Sequence, residues 1–421
     1  MHETTNMKPL LNKRKIVNDP VHGFIIIPTD LVFDLMEHPY MQRLRRIKQL
    51  GLTSFVYPGA THTRFQHALG AVHLMGQAID NIRQKGTVIT EEEAEAATAA
   101  IMLHDIGHGP FSHALEQSII PGLTHEDLSV LLMNNLNSEF NGKLDLALKI
   151  FNNQYPRKFF HQLVSGQLDM DRMDYLMRDS FYAGVAEGTI GTERIIKMLN
   201  VVGDQLVIEA KGIYSIEKFL IARRLMYWQV YFHKTVIAAE NLLLQLLRRA
   251  KQVAGTGNIF ATGSLGYFLD NTICREDLAG SRDEILHHFT NLDDDDIMVS
   301  AKSWAEHNDP VLSLLSINLI RRKLPRVRIS DEPFNEDNVK ELQKAASEKF
   351  QITDEESNYL VFTGLISNMA YSVKADTIKI IYNTGEMKDL SEASDIFHLQ
   401  NLMETKKKYF LCFPKVLGFN Y

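Results

Sequence analysis

Cysteine is almost missing from this chain: of 421 residues, only Cys274 and Cys412 are cysteines. Two such residues, far apart in sequence, build neither a disulfide framework nor a cysteine-based metal knuckle, and they fit a reducing compartment. No apolar run approaches the ~18 residues that a membrane-spanning helix needs. The opening stretch MHETTNMKPLLNKRK lacks the apolar centre of a secretory signal. A cytoplasmic protein without a membrane segment is the expectation. Positive charge is also in deficit, since 45 Lys and Arg against 52 Asp and Glu leave a net charge of -7. That argues against a general nucleic-acid coat. It leaves room for a small anionic substrate, because Arg43, Arg45, Arg46 and Lys48 crowd one short stretch. Internal repeats and low-complexity tracts are absent as well.

Hydrophobic residues at 45% and charged residues at 23% are ordinary for a globular chain, and the length suggests two or three domains. In KIVNDPVHGFIIIPTD, Asn18-Asp19-Pro20 breaks the chain ahead of a β-prone run from Phe24 to Ile27. From about 30 to 250 the pattern is helical. Thr90 and Glu93 form a capping box before AEAATAAIMLHDIG, which stops at Gly107 and Gly109-Pro110. VVGDQLVIEAKG predicts a hairpin turning at Gly203-Asp204, and one long helix is expected from Ser215 to Val253. The acidic run Asp293 to Asp296 reads as a helix N-terminus, where carboxylates favour the macrodipole. Beyond about 330, β-prone strips appear: NYLVF, TIKIIYN and KYFLCF. The expected class is mainly α, with a helical catalytic region over 1–330, a small β-hairpin and a smaller C-terminal α+β region over 331–421.

IMLHDIGHGPFSH, residues 101–113, carries the chemistry. His104 and Asp105 end an apolar helix, glycines follow, and His108 and His113 come within the next turns. Three histidines and one aspartate among Ile101, Met102, Leu103 and Phe111 would each need a buried partner, and a cation supplies one. A His-Asp pair needs further ligands from elsewhere. Upstream, THTRFQHALGAVHLMG places His62, Arg64, His67 and His73 on a second helix, with Gly70-Ala71 sharing the His67 face and permitting close helix contact. Downstream, QLDMDRMDYLMRD places Asp169, Asp171, Asp174 and Asp179 on a third helix. Asp171, Asp174 and Tyr175 share one face there.

The order His67, His104-Asp105, Asp171 resembles the HD superfamily of metal-dependent phosphohydrolases. Within it, the chain resembles the deoxynucleoside triphosphate triphosphohydrolase branch that includes the mammalian SAM-and-HD-domain enzyme. NDPVHGFI, QRLRRIKQLG, YPGATHTRFQHALG, HDIGHGPFSH, THED, DMDRMDYLMRD and YFHK occur in family order over residues 15–235. The resemblance implies a helical bundle in which His67, His104, Asp105 and Asp171 hold one transition-metal ion: Fe, Mn, Co, Ni or Zn. Such an ion lowers the pKa of water and offsets phosphoryl charge. Mg²⁺ is expected to arrive with the substrate triphosphate. The implied reaction is attack at the α-phosphorus, releasing deoxynucleoside and inorganic triphosphate.

By the same resemblance, His113 protonates the leaving 5′-oxygen and Glu116 orients it, although mammalian relatives carry Asp there. His108 and His125 contact phosphate or order water, with a helix cap as the other reading for His125 and Glu126. Arg64 faces a phosphate oxygen. Arg172, where the family has Lys, joins Arg223 and Lys234 on the phosphates, with Tyr231 beside them. Tyr175 and Asp179 recognise the 3′-hydroxyl, and Gln49-Leu50 crowd the 2′ position. Lys15, Gln42, Arg45, Arg322 and Arg326 match a regulatory nucleotide site between subunits, so a homo-oligomer, a dimer or tetramer, is expected. No SAM-type domain precedes the motifs, and recruitment of that kind is not expected. Two other functions remain open at this stage. One is hydrolysis of a monophosphate, cyclic dinucleotide or guanosine polyphosphate. The other is a non-catalytic nucleotide- or nucleic-acid-binding scaffold that retains a metal.

Overall fold

The structure, a computed structural model, describes residues 15–111, 122–368, 377–395 and 406–418. Its first element is a hairpin of β1 (Ile16–Asp19) and β2 (Gly23–Ile26), paired from Ile16↔Ile26 to Asp19↔Gly23. The turn follows from its residues. Asp19 Oδ1 accepts from the backbone N–H of Val21 at 3.0 Å and of His22 at 2.9 Å. Gly23 takes a φ of +74°, which suits glycine.

The fold is mainly α. The helices that carry the site are α1 (Arg64–Gln84), α2 (Glu91–Leu103), α3 (His125–Glu139) and α4 (Met170–Ala183). Each start has a local cause. Thr63 with Gln66, Thr90 with Glu93, and Thr124 with Asp127 form capping boxes. Asp169 Oδ1 accepts from the Arg172 N–H at 2.7 Å and caps α4, which ends on Gly184 at φ +69°. Asp169 therefore stands ahead of its helix, and His62 precedes α1, where both were expected on the helices themselves. α1 packs against α4 at Gly70, where a Cβ would lie 1.9 Å from Asp174 Oδ1 and 2.3 Å from Arg178. The close contact expected of Gly70 is there, and it is made with a polar pair.

Strands β3 (Leu199–Val202) and β4 (Gln205–Glu209) form the expected hairpin. Gly203 and Asp204 at φ +57° and +59° make its two-residue turn. The single long helix from 215 to 253 is not formed. It divides into α5 (Ile213–Met226) and α6 (Lys234–Ala254) across a π turn, Tyr227–Tyr231, closed by the Phe232 N–H donating to the Tyr227 carbonyl at 2.7 Å. The cause is a wider turn with a new cap, as His233 Nδ1 accepts from Thr235 at 3.2 Å.

The acidic run starts α7 (Asp294–Trp304) as expected, with Asp293 as its cap. Asp294 does more: it accepts from the backbone N–H of Lys48 at 3.0 Å and of Phe111 at 2.9 Å, pinning two loops beside the site. Toward the C-terminus, β5 (Arg326–Ser330), β6 (Phe362–Asn368) and β9 (Lys406–Phe413) form a sheet in the order β5-β9-β6, while β7 (Lys379–Ile381) and β8 (Met387–Asp389) extend the earlier hairpin as β3-β4-β7-β8. NYLVF is not a strand. The N–H groups of Leu360 and Val361 both return to the Ser357 carbonyl at 2.9 Å, so a strand begins only at Phe362. One continuous hydrophobic core runs from Ile25 to Phe413.

Candidate metal centre

Three remote stretches meet at a point. His67 comes from the first turn of α1, His104 from the C-cap of α2 and Asp171 from the first turn of α4. His67 Nε2 lies 3.3 Å from His104 Nε2 and 3.1 Å from Asp171 Oδ1, and His104 Nε2 lies 3.4 Å from the same oxygen. Their donor atoms all fall within 4.8 Å of one another. Ligands ~2.0–2.2 Å from an ion stand roughly 3.0–3.5 Å apart, so the trio has the spacing of a coordination sphere. The other ring nitrogens are already used. His104 Nδ1 is 2.6 Å from the Ile101 carbonyl and His67 Nδ1 is 2.8 Å from Asp174 Oδ2. In its neutral form each ring, with its Nδ1–H donated outward, turns the Nε2 lone pair inward, the arrangement that outer partners give to ligating imidazoles. Burial opposes charge on His67, but Asp171 and Asp174 overcome it and carry the ring up to about 10. His104 is also raised, by Asp105 and Asp171 against burial. Positive charge is what this cage stabilises.

Asp174 anchors the cage from behind and is fully buried. Besides His67 it meets His22 Nε2 at 2.6 Å, Arg178 Nε at 2.8 Å and Arg178 Nη2 at 3.0 Å. Arg178 passes the contact to Asp19 at 2.7 Å. Burial opposes ionisation of Asp174, yet Arg178, His22 and His67 hold its carboxyl well below the usual range. His22, Asp19 and Arg178 were missed as site residues. Their signal was present in the two motifs NDPVHG and DMDRMDYLMRD, which nothing local connects.

Asp105 is shared. Its Oδ1 lies 3.2 Å from His104 Nε2 and 3.3 Å from His108 Nε2, while Oδ2 is 3.9 Å from His67 Nε2 and contacts Arg64. Burial works against its charge, and His104 and Arg64 keep it ionised. His108 stacks on His125 with centroids 4.0 Å apart. Burial and then Arg64 push His108 well below the ordinary histidine range, so it is neutral at pH 7. His125 is not a helix cap, because Thr124 and Asp127 fill that role.

A cavity of about 1020 Å³ opens beside these residues. Of the expected site residues, Gln49, Leu50, Arg64, His108, His125, Arg172, Tyr175, Asp179, Arg223 and Tyr231 all line it, together with His104, Asp105 and Asp171. Asp179 is held by His62 Nε2 at 2.7 Å and by the Tyr231 hydroxyl, which donates at 2.7 Å. Burial followed by Asp179 keeps the Tyr231 hydroxyl well above the ordinary phenol range. Arg172 turns inward, donating to the Gly166 carbonyl at 2.6 Å and pairing with Asp169. Gln49 Oε1 is buried and finds no partner among the described residues. Lys234 does not join this set. It is exposed at the start of α6, because the π turn redirects the chain there. Residues His113 and Glu116 lie outside the described residues. Tyr227, His161, Glu240 and Asn241 line the cavity and were not anticipated.

Four of the residues expected at a regulatory site, Lys15, Gln42, Arg45 and Arg322, make contacts within the chain. Lys15 is 3.7 Å from Glu37 and lies over Phe33, and Arg45 donates to Gln42 Oε1 at 2.8 Å. Arg322 donates to the Phe55 carbonyl at 2.8 Å, and Arg326 opens β5. No described helix is long and apolar enough to cross a membrane.

Residues 64–176 match the HD domain and residues 190–260 match the HD associated region. An uncharacterized protein of Bacillus subtilis, YwfO, is 31% identical over 92% of this chain and 89% of its own length. A solved phosphohydrolase from Bacteroides thetaiotaomicron is 54% identical, with a TM-score of 0.92 over 95% of this chain and 99% of the other. The deoxynucleoside triphosphate triphosphohydrolase SAMHD1 homolog of Dictyostelium discoideum is 33% identical over 56% of this chain, which spans half of that protein's length.

Proposed function

The chain belongs to the HD-domain family of phosphohydrolases, and from that premise we propose that it hydrolyses deoxynucleoside triphosphates to deoxynucleoside and inorganic triphosphate. One observation carries the reading: a single cavity is lined by His104 and Asp171, whose donor atoms cluster with that of buried His67, by three arginines, and by the hydrogen-bonded pair Asp179 and Tyr231. His67, His104 and Asp171, with Asp105 as a fourth ligand, would hold Fe, Mn, Co, Ni or Zn. The ion would supply Lewis-acid chemistry at the α-phosphorus. Mg²⁺ accompanies the triphosphate.

The protein's own groups do the rest. Arg64, Arg172 and Arg223 bind phosphate oxygens and place the substrate. His108, neutral and stacked on His125, orders water. His113 gives a proton to the leaving 5′-oxygen, with Glu116 orienting it. Asp179 and Tyr175 bind the 3′-hydroxyl; Asp179 arrives preorganised by His62 and Tyr231. Gln49 and Leu50 close the 2′ position, which favours deoxyribose. In this proposal residues 1–330 form the catalytic unit and 331–421 an α+β appendage. The protein works in the cytoplasm as a homo-oligomer, and a regulatory nucleotide binds near Lys15, Gln42, Arg45, Arg322 and Arg326.

The test is product chromatography after incubating metal-loaded protein with dNTPs, deoxynucleoside monophosphates, cyclic dinucleotides and guanosine tetraphosphate. Tripolyphosphate released from dNTPs is expected. Phosphate released from monophosphates, with dNTPs intact, would defeat the reading.

A further inference from the structure

The first turns of α6 also line the cavity. Ile237, Glu240 and Asn241 stand at i, i+3 and i+4, so they share one face, and all three line the cavity. Phe232, which follows Tyr231 in the chain, and Ile366 of β6 add apolar lining from two other elements. Within this apolar setting the Glu240 carboxyl has no hydrogen-bond or ion-pair partner among the described residues, and burial alone pushes it up to about 7. Asn241 spends one amide N–H on the Ile237 carbonyl at 2.9 Å, and among the described residues its oxygen and second N–H have no partner. A solitary carboxyl in an apolar lobe costs stability unless a ligand pairs with it.

An apolar lining from Phe232, Ile237 and Ile366 beside the polar groups of Glu240 and Asn241 suits a heteroaromatic base. These residues connect to the sugar end through the chain: Phe232 follows Tyr231, whose hydroxyl reaches the Asp179 carboxylate proposed for the sugar, while Arg64, Arg172 and Arg223 are assigned to the phosphates. We propose that Glu240, assisted by Asn241, reads the Watson–Crick edge of the nucleobase and favours guanine, whose adjacent N1–H and N2–H donors match one carboxylate. The inference rests on the dNTPase reading and adds base selectivity to it. It also gives the C-terminal region a part in the site, through Ile366.

The experiment measures kcat/KM for dGTP, dITP and dTTP with wild type and Glu240→Gln, metal-loaded, with thermal unfolding of both proteins as a check on folding. A bidentate base contact discriminates about tenfold or more. Wild type should therefore prefer dGTP to dTTP by that margin, and dITP, which lacks the 2-amino donor, should fall below dGTP. In Glu240→Gln both ratios should collapse toward one, chiefly through loss of the dGTP rate. Wild-type turnover with no base preference overturns the proposal. So does a preference that survives Glu240→Gln, or an equal loss on all three nucleotides, which would mark Glu240 as a general structural or cation-binding group. Absence of turnover on every dNTP by wild type refutes the dNTPase reading on which the inference rests.

Discussion

Asp174→Asn is the sharpest probe of the metal cage. Asp174 presents two carboxylate oxygens to His22, His67 and Arg178 at 2.6 to 3.0 Å in a fully buried position. An amide of the same shape keeps one acceptor and turns an NH₂ group toward donors, so at least one contact to Arg178 or an imidazole is lost. Each buried hydrogen bond left unmade costs about 1–3 kcal/mol, and removing one partner of a buried ion pair costs about 3–5 kcal/mol. Asp19 keeps hold of Arg178 at 2.7 Å, which limits the damage to the lower part of that range. We expect about 3 kcal/mol of lost stability by urea unfolding. His67 loses the carboxylate that fixes its tautomer, and metal affinity should fall about 10–100-fold by titration with Mn²⁺ or Co²⁺. A destabilised variant that binds the metal as tightly as wild type would refute the reasoning and leave the Asp174 network as packing alone.

Gly70→Ala should cost roughly 1–3 kcal/mol through overpacking and weaken metal binding too, because its Cβ would meet Asp174 and Arg178. Gly76→Ala on the same helix has nothing within 4 Å of its Cβ and should leave both measurements near or above wild type. Asp171→Ala removes one member of the donor trio, and elemental analysis should find the metal gone and hydrolysis with it. Tyr231→Phe deletes the hydroxyl that donates to Asp179 at 2.7 Å; a rise in KM of about fivefold is expected, from the ~1 kcal/mol typical of one such bond. Burial raises Asp294 from 3.8 to about 6. A carboxyl raised on folding favours the folded state while protonated, and that contribution is lost as pH climbs through the folded value. Relative to Asp294→Asn, wild-type stability should be greatest at about pH 4 and below, fall between about 4 and 6, and level off above 6, as read by denaturation across that interval.

Much of the architecture was legible because its causes are local. Thr90 with Glu93 starts a helix through two hydrogen bonds three residues apart, and Gly203-Asp204 turns a hairpin through its own dihedral angles. The acidic run at Asp293 was readable for the same reason. Misreadings arose where local propensity competed with longer-range demands. Residues 213–254 are helix-prone throughout, yet a π turn at Tyr227–Tyr231 interrupts them and turns Tyr231 onto Asp179. NYLVF is rich in β-formers, but Ser357 captures its backbone N–H groups.

Two imidazoles and two carboxylates in family order, and the caps of the helices that carry them, were readable in the residues alone. Tertiary structure alone decided the division of labour among them. It engaged Asp105 with both Arg64 and His108, set His22 and Asp19 of the hairpin against Asp174 and Arg178, and left Glu240 in the cavity without a partner among the described residues. The physical reason is range. A cap or a turn is settled by hydrogen bonds within four residues, whereas the partner of a buried charge depends on which helix faces the folded core brings together.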